Sequence, residues 1–333
     1  SFLQQIVFFN RALSVKIYIA ILIFFVAIYL LIIWRIRKTN IQSFPWKSVI
    51  ATGLVATFAY PMLTHDVFNY LFHARAVINY HANPHYVAPQ FFVGDDWLRF
   101  MHWVHSPSAY GYGFTAYMII PYILGLGKLG FSLYLYKLMS LGCYLLSIWL
   151  IGTIAKRNQL INPTYAQLLF AANPLIIMEW LVNAHNESMM VTLMLLSWYL
   201  NSLLPLVIAT LSKYAAVLLL PAILLKRFFG ERKSLLFASF ILLVTPFLYH
   251  YPTQYQVWYI TWALPFVILS GNRCLTVATL GYSIGGLFTY IPYIATGFWS
   301  LSKELREIYL LLPAFIFILI YLLQKRIHSK SSI

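Results

Sequence analysis

Apolar runs of membrane-spanning length recur along the whole chain, at 16–36, 48–64, 114–127, 131–155, 164–182, 188–200, 203–225, 235–249, 257–271, 274–297 and 307–323. A run surrounded by lipid must satisfy its own backbone hydrogen bonds, and a helix does so within one segment. The pattern therefore predicts an all-α polytopic membrane protein, a bundle of about 11–13 transmembrane helices.

Composition agrees, with 61% of the 333 residues hydrophobic, 18% aromatic and only 9% charged. A net charge of +15 would suggest nucleic acid in a soluble protein. Here the cations gather in short clusters between apolar runs: Arg35, Arg37 and Lys38; Lys156 and Arg157; Lys226, Arg227, Arg232 and Lys233; Lys325, Arg326 and Lys330. Such clusters mark cytoplasmic loops, retained during insertion and attracted to anionic lipid, so no nucleic-acid partner is expected. Residues 65–113, 183–187 and 250–256 then fall on the outer face. Parity requires two further breaks, one expected at Leu211, Ser212 and Lys213 and one near Lys137. Cys143 and Cys274 sit in apolar runs and read as buried thiols, with no disulfide framework or zinc motif.

The chain reads as a single integral membrane domain, 1–333, with 65–113 as its first large outer loop. The loop aromatics, among them Phe68, Tyr70, Phe72, Tyr86, Phe91, Trp97 and Trp103, suit helices lying at the lipid interface.

Only eight carboxylates are available for chemistry: Asp66, Asp95, Asp96, Glu179, Glu187, Glu231, Glu304 and Glu307. Glu231 lies in the basic segment KRFFGERK and reads as a solvated charge partner. Glu304 and Glu307 have ordinary helical partners in Lys303 and Arg306. Asp95 and Asp96, in GDDW, read as a turn or helix cap. Asp66 differs, because it closes an apolar run, where an ionisable group is costly to desolvate and function or a fixed partner is the default expectation. His65, His73, His81, His85, His102, His105, His185 and His250 all map to the outer face, but none shows tight metal-ligand spacing with a nearby acid. They read as anion donors or interface residues, and no metal or cofactor is expected.

Several stretches resemble the polyprenyl-phosphate-dependent glycosyltransferases with the GT-C fold, most closely their bacterial mannosyltransferase branch. HDVFNYLFHAR, residues 65–75, is similar to the start of that superfamily's first outer loop, which opens with a catalytic aspartate. ANPHY, residues 82–86, resembles its G-x-NPY-like turn with His85 inserted before the tyrosine. HSPSAYGYGF, residues 105–114, resembles its S-P-x-Y-G-P turn with Gly113 replacing the proline. ANPLIIMEWLVNAHNESMM, residues 172–190, is similar to the branch's NPL…E…NGHND segment, with Glu187 where aspartate is usual. LSKYAAVLLLPAILL, 211–225, and QVWYITWALPF, 256–266, resemble its paired short helices and its WALP segment.

The resemblance implies a membrane glycosyltransferase that moves a hexose, mannose by this branch, from a polyprenyl-phosphate donor to a lipid or glycan acceptor at the outer face of a bacterial plasma membrane. One base suffices for such a donor, since phosphate leaves as a stabilised anion, and Asp66 fills that role in an inverting displacement. This contrasts with the carboxylate pairs of glycosidases. Arg75, Lys213 and His250 are the cationic candidates for the donor phosphate. Lys213 stands out because the middle of an apolar run is a costly place for an ammonium. His65, Asn69, Tyr70, His185, Asn186, Glu187, Tyr259 and Trp262 are candidates for sugar contacts, with Asn183 in the same polar knot as His185. A polar turn for that knot, an interfacial snorkelling role for Arg75 and membrane anchoring for Tyr259 and Trp262 stand beside these readings. A secondary transporter is the rival from another class, and a carrier-lipid-binding, non-catalytic superfamily member the second. Neither a two-fold hydropathy repeat nor midplane acids favour the transporter.

Overall fold

The computed structural model describes residues 10–39, 43–250, 255–298 and 303–330, except for the side chains of 249–250, 303–306 and 327–330. The regular elements among them are all helical. Besides short 3₁₀ helices at Pro89–Phe91, Asp96–Phe100, Tyr214–Leu219 and Val257–Tyr259, in chain order they are α1 (Arg11–Lys38), α2 (Trp46–Phe58), α3 (Asp66–Tyr80), α4 (Tyr112–Leu124), α5 (Leu129–Asn158), α6 (Pro163–Ala171), α7 (Pro174–Val182), α8 (Glu187–Leu200), α9 (Leu204–Ser212), α10 (Leu220–His250, kinked at Gly230), α11 (Ile260–Leu269), α12 (Arg273–Phe288), α13 (Tyr290–Thr296) and α14 (Lys303–Lys330). The protein is an all-α polytopic membrane protein.

Among the described residues, four helical stretches have the length and apolarity to cross a membrane: α1, α5, Arg273–Thr296 and Glu307–Arg326. The interrupted pair α6 and α7 makes a fifth. The apolar runs had suggested more, but breaks inside them leave short pieces. At 13 residues each, α2 and α4 are about 20 Å long, short of a hydrocarbon core of about 30 Å. One expected break is found where the charge interrupts the run: α9 stops at Ser212 and Lys213 is extended, with φ −149° and ψ 116°. The other does not fall near Lys137. Helix α5 is continuous there, and the interruption lies at Gly125–Lys128, where Leu126 and Gly127 both adopt positive φ. Cys274 also departs from expectation: it lies in the first turn of α12 and is exposed.

Two compact units divide the chain. A terminal unit comprises the chain up to Phe44, Ala155–Leu175 and Phe228 onward; a central unit comprises Pro45–Ile154 and Ile176–Arg227. In the terminal unit, Asn173 ties three helices together. Its amide donates to Ser283 Oγ of α12 at 3.0 Å and to Tyr29 Oη of α1 at 3.4 Å, while Tyr29 donates to the Leu169 carbonyl of α6 at 2.8 Å. Satisfying each buried polar group in this way fixes the helices against one another. Gly281 and Gly285 face the backbone of α14 so closely that a Cβ at Gly281 would lie 2.7 Å from Ala314 Cα.

The central unit is built around α3. Val67, Phe68, Tyr70, Leu71, Phe72, Ala74 and Ala76 are buried on nearly every side of it, against Phe114, Met118 and Tyr122 of α4 and Leu133 and Tyr136 of α5. A helix apolar on all faces belongs inside a bundle, so this part of the loop is core, not an interfacial helix. The interfacial expectation fits the exposed aromatics Tyr80, Tyr86, Phe91 and Trp103. Lys137, fully buried in the middle of α5, directs its ammonium to two backbone carbonyls: Ala59, which caps the end of α2, and Val182, the last residue of α7, the latter at 2.9 Å. Cations favour helix C-termini because the last carbonyls lack intrahelical donors. One ammonium thus pins the two chain segments that lead into Asp66 and His185.

Candidate active site

Asp66 opens a helix where the sequence suggested that it closes one. Helix α2 ends at Phe58, and Asp66 is the first residue of α3. Pro61 supplies the reason: the residue before a proline is driven out of the helical region, so the apolar run cannot continue as helix. An acid in the first turn is also favoured by the helix dipole. Its backbone N–H donates to Thr64 Oγ1 at 3.2 Å, and Trp103 Nε1 donates to its Oδ1 at 3.1 Å. The other carboxylate oxygen, Oδ2, faces His185 Nε2 at 3.7 Å, an ion-pair separation too long for a hydrogen bond. Burial pushes the Asp66 carboxyl above the usual carboxylate range; His185, the Trp103 hydrogen bond and Lys213 partly offset that, and Glu187 adds to it.

His185 arrives there through an unusual backbone path. Residues Ile177–Val182 form a π-helical turn, Ala184 takes a left-handed conformation at φ 55°, and the His185 N–H returns to the Glu179 carbonyl at 2.8 Å. Wide turns and left-handed non-glycine residues are costly and concentrate at functional sites. The outcome is that His185 Nδ1 meets Glu179 Oε2 at 2.8 Å, with Asn183 Nδ2 on the same oxygen at 3.1 Å. Burial opposes a charge on His185, but the hydrogen bond and charge of Glu179, followed by Asp66 and Glu187, raise its pKa. Glu179, His185 and Asp66 thus form a line of acid, imidazole and acid. Sequence reasoning gave Glu179 no role; a carboxylate inside the apolar run 164–182 was the available signal.

The charged partner beside this line is Lys213. It bonds to Glu187 Oε1 and to Asn186 Oδ1, the latter at 3.3 Å, and stands 5.9 Å from the Tyr110 ring centroid. Its position depends on the YGYG segment: the Gly111 N–H donates to the Ser212 carbonyl at 2.9 Å, and a Cβ at Gly111 would collide with the Leu211 carbonyl oxygen. Only glycine permits that approach, which joins the 105–114 turn to the helix break. Asn186 Nδ2 and Asn69 Oδ1 are buried with no hydrogen-bond partner among the described residues, a demand that a polar ligand would meet.

The remaining predicted residues take varied places. Arg75 Nε is paired with Asp95 Oδ2 at 2.6 Å and its guanidinium lies 4.8 Å from the Trp97 ring centroid. Asp95 also caps Trp97 N–H and accepts from Tyr80, so the GDDW acid is a helix cap. Asn69 donates to the Trp103 carbonyl at 3.1 Å, holding the residue that contacts Asp66. Tyr70 is buried edge-on against Tyr110 and Phe114. His65 stacks on His102 at 4.3 Å, and burial together with that ring pushes it down to about 4, leaving it neutral. Tyr259 and Trp262 belong to the terminal unit, with ring centroids 4.5 Å apart. The side chain of His250 lies outside the described residues. Among the described residues, no group of three His, Cys, Asp or Glu side chains is placed to hold a metal ion.

The family described as Alpha-(1->6)-mannopyranosyltransferase, N-terminal domain, matches residues 3–230, and the chain belongs to that family. The match spans the whole central unit, including Asp66, Glu179, His185, Glu187 and Lys213. No curated protein and no solved structure matches the chain. The protein is a membrane glycosyltransferase of the mannosyltransferase type.

Proposed function

We propose that this mannosyltransferase moves mannose from a polyprenyl-phosphate donor to the primary hydroxyl of a lipid or glycan acceptor, at the extracytoplasmic face of a bacterial plasma membrane, with Asp66 as the base. The observation that carries the proposal is the carboxylate itself: Oδ1 is held by Trp103, whereas Oδ2 faces His185 without a hydrogen bond. The acceptor hydroxyl loses its proton to Oδ2 as its oxygen bonds to the anomeric carbon. The bond from that carbon to the phosphate oxygen breaks, and its electron pair leaves with the polyprenyl phosphate. A base whose pKa lies above the ordinary carboxylate range is better matched to an alcohol than a free aspartate.

Stereochemistry adds a requirement. The family description names an α-(1→6) bond, and a single displacement inverts the anomeric carbon, so the donor must carry its phosphate in the β configuration. Lys213, adjacent to Asn186 and Glu187, offers the cation for the departing phosphate. Both cations are paired with a carboxylate, but the charge of Lys213 reaches Asp66 and that of Arg75 is taken up by Asp95 in the 89–100 segment, so Arg75 is the weaker candidate. The unpartnered Asn186 Nδ2, a donor, and Asn69 Oδ1, an acceptor, suit sugar hydroxyls. Glu179 keeps His185 oriented, as a carboxylate behind an imidazole fixes its tautomer.

The test is transfer of radiolabelled mannose by the purified protein in nanodiscs, from α- and β-configured polyprenyl-phosphate mannose, beside Asp66→Asn. The expected result is transfer from the β donor alone, lost in the variant. Full activity in Asp66→Asn removes Asp66 from the role of base, and transfer from the α donor removes inversion.

A further inference from the structure

Wholly within the terminal unit, and sharing no residue with the site around Asp66, a cavity of about 360 Å³ lies between the end of α1, the α5–α6 connection and the start of α12. That volume falls in the roughly 300–1,000 Å³ range of small-molecule sites. Its walls divide by chemistry. Leu160, Ile161, Val277 and Leu280 are apolar, whereas Arg37 and Arg273 bring two guanidiniums and no carboxylate is among the lining residues. Arg37 is oriented by Tyr165, donating from Nε to its hydroxyl at 3.1 Å with the guanidinium 6.0 Å from the ring centroid. That bond leaves the two terminal nitrogens of Arg37 as donors. Arg273 makes no ion pair among the described residues.

Two cations facing one cavity without an acid repel each other, and an anion relieves that repulsion. Planar guanidiniums match phosphate oxygens two at a time. The cavity also adjoins the C-terminal turn of a membrane-spanning helix whose last residues are Arg35, Arg37 and Lys38, so it lies at the level of lipid headgroups. An apolar wall beside paired arginines at that depth suits an amphiphile better than a free ion. From these observations we propose that the cavity is a binding site for the phosphate group of an anionic phospholipid, separate from the site around Asp66.

The probes are short-chain phosphatidylglycerol, short-chain phosphatidylcholine and inorganic phosphate, titrated against the detergent-purified full chain and read as bound adducts by native mass spectrometry. Phosphatidylglycerol is expected to bind and to weaken as salt rises, with Arg37→Gln and Arg273→Gln each losing about tenfold. Val277→Trp fills the cavity, retains both charges and is expected to lose binding as well, which separates the cavity from a general surface charge. Mannosyl transfer by these variants serves as the folding control. Inorganic phosphate that displaces the lipid at equal concentration would show a phosphate site with a soluble occupant and overturn the lipid assignment. Equal binding of the two lipids, or unchanged binding in both arginine variants, overturns the site.

Discussion

Asp66 and Asp95 sit in the same loop of the same unit and are shifted in opposite directions. Asp95 is saturated: Tyr80, the Trp97 N–H and Arg75 all converge on it, and although burial opposes its charge, they hold its carboxyl below the usual range. Asp66 receives one hydrogen bond and a distant imidazole, and burial wins, so its carboxyl is pushed up. A carboxylate whose oxygens are all occupied fastens the chain. One left partly unsatisfied in a buried place is available for a proton. The difference lies in what converges on each side chain: three donors on Asp95, one hydrogen bond on Asp66.

The comparison breaks most sharply at the proposed base. Asp66→Asn should lower mannosyl transfer by about two to four orders of magnitude while the thermal midpoint in detergent stays near that of the parent; a large fall in the midpoint instead would make Asp66 a fastening residue. Lys213→Met should lower transfer by about a hundredfold, measured at saturating donor, with Arg75→Met falling far less. Asp95→Asn reverses the pattern. Removing one partner of a buried pair costs about 3 kcal/mol, seen as a lower midpoint, with transfer per folded molecule little changed.

The acid limb of the rate sharpens the contrast. Asp66 must be ionised to accept a proton, so transfer falls as pH drops through its raised value, above the ordinary carboxylate range of about 4. His185→Gln removes the cation that holds that value down and should move the limb to still higher pH. The smallest expected effect is on stability. Because the pKa of folded His185 is raised, its contribution is complete below the unfolded value of about 6.5 and lost as pH rises through the folded one. Asp95 has the opposite sign: its contribution is present above about 3.9 and lost as pH falls. Midpoints measured against pH in His185→Gln and Asp95→Asn should each flatten one end of the profile.

Local sequence carried much of this site and missed what only three-dimensional paths create. Lys213 was legible because a charge inside an apolar run is expensive, and the knot at Asn183–Glu187 because polar residues cluster there. Glu179 was not, since its partnership with His185 requires a π-turn and a left-handed alanine that no periodicity encodes. Arg75 looked available until the loop folded Asp95 onto it. The apolar run 48–64 looked like one helix up to Asp66, although Pro61 already carried the stop signal. Hydropathy established the class, yet it overcounted full crossings because the length of a run is not the length of its helix: run 48–64 holds only the 13 residues of α2, and run 203–225 is broken at Lys213.

Lys137 bears on how the protein is made. Its ammonium would be several kcal/mol out of place if α5 met lipid alone, and one of its two carbonyl partners, Val182, is synthesised only after α5. When α5 emerges only the Ala59 carbonyl is available to that ammonium, so its full pairing waits for α7. Lys137→Leu leaves α5 with no group that waits for a later segment, and a chain truncated before Pro174 should then integrate α5 more completely than the parent sequence does.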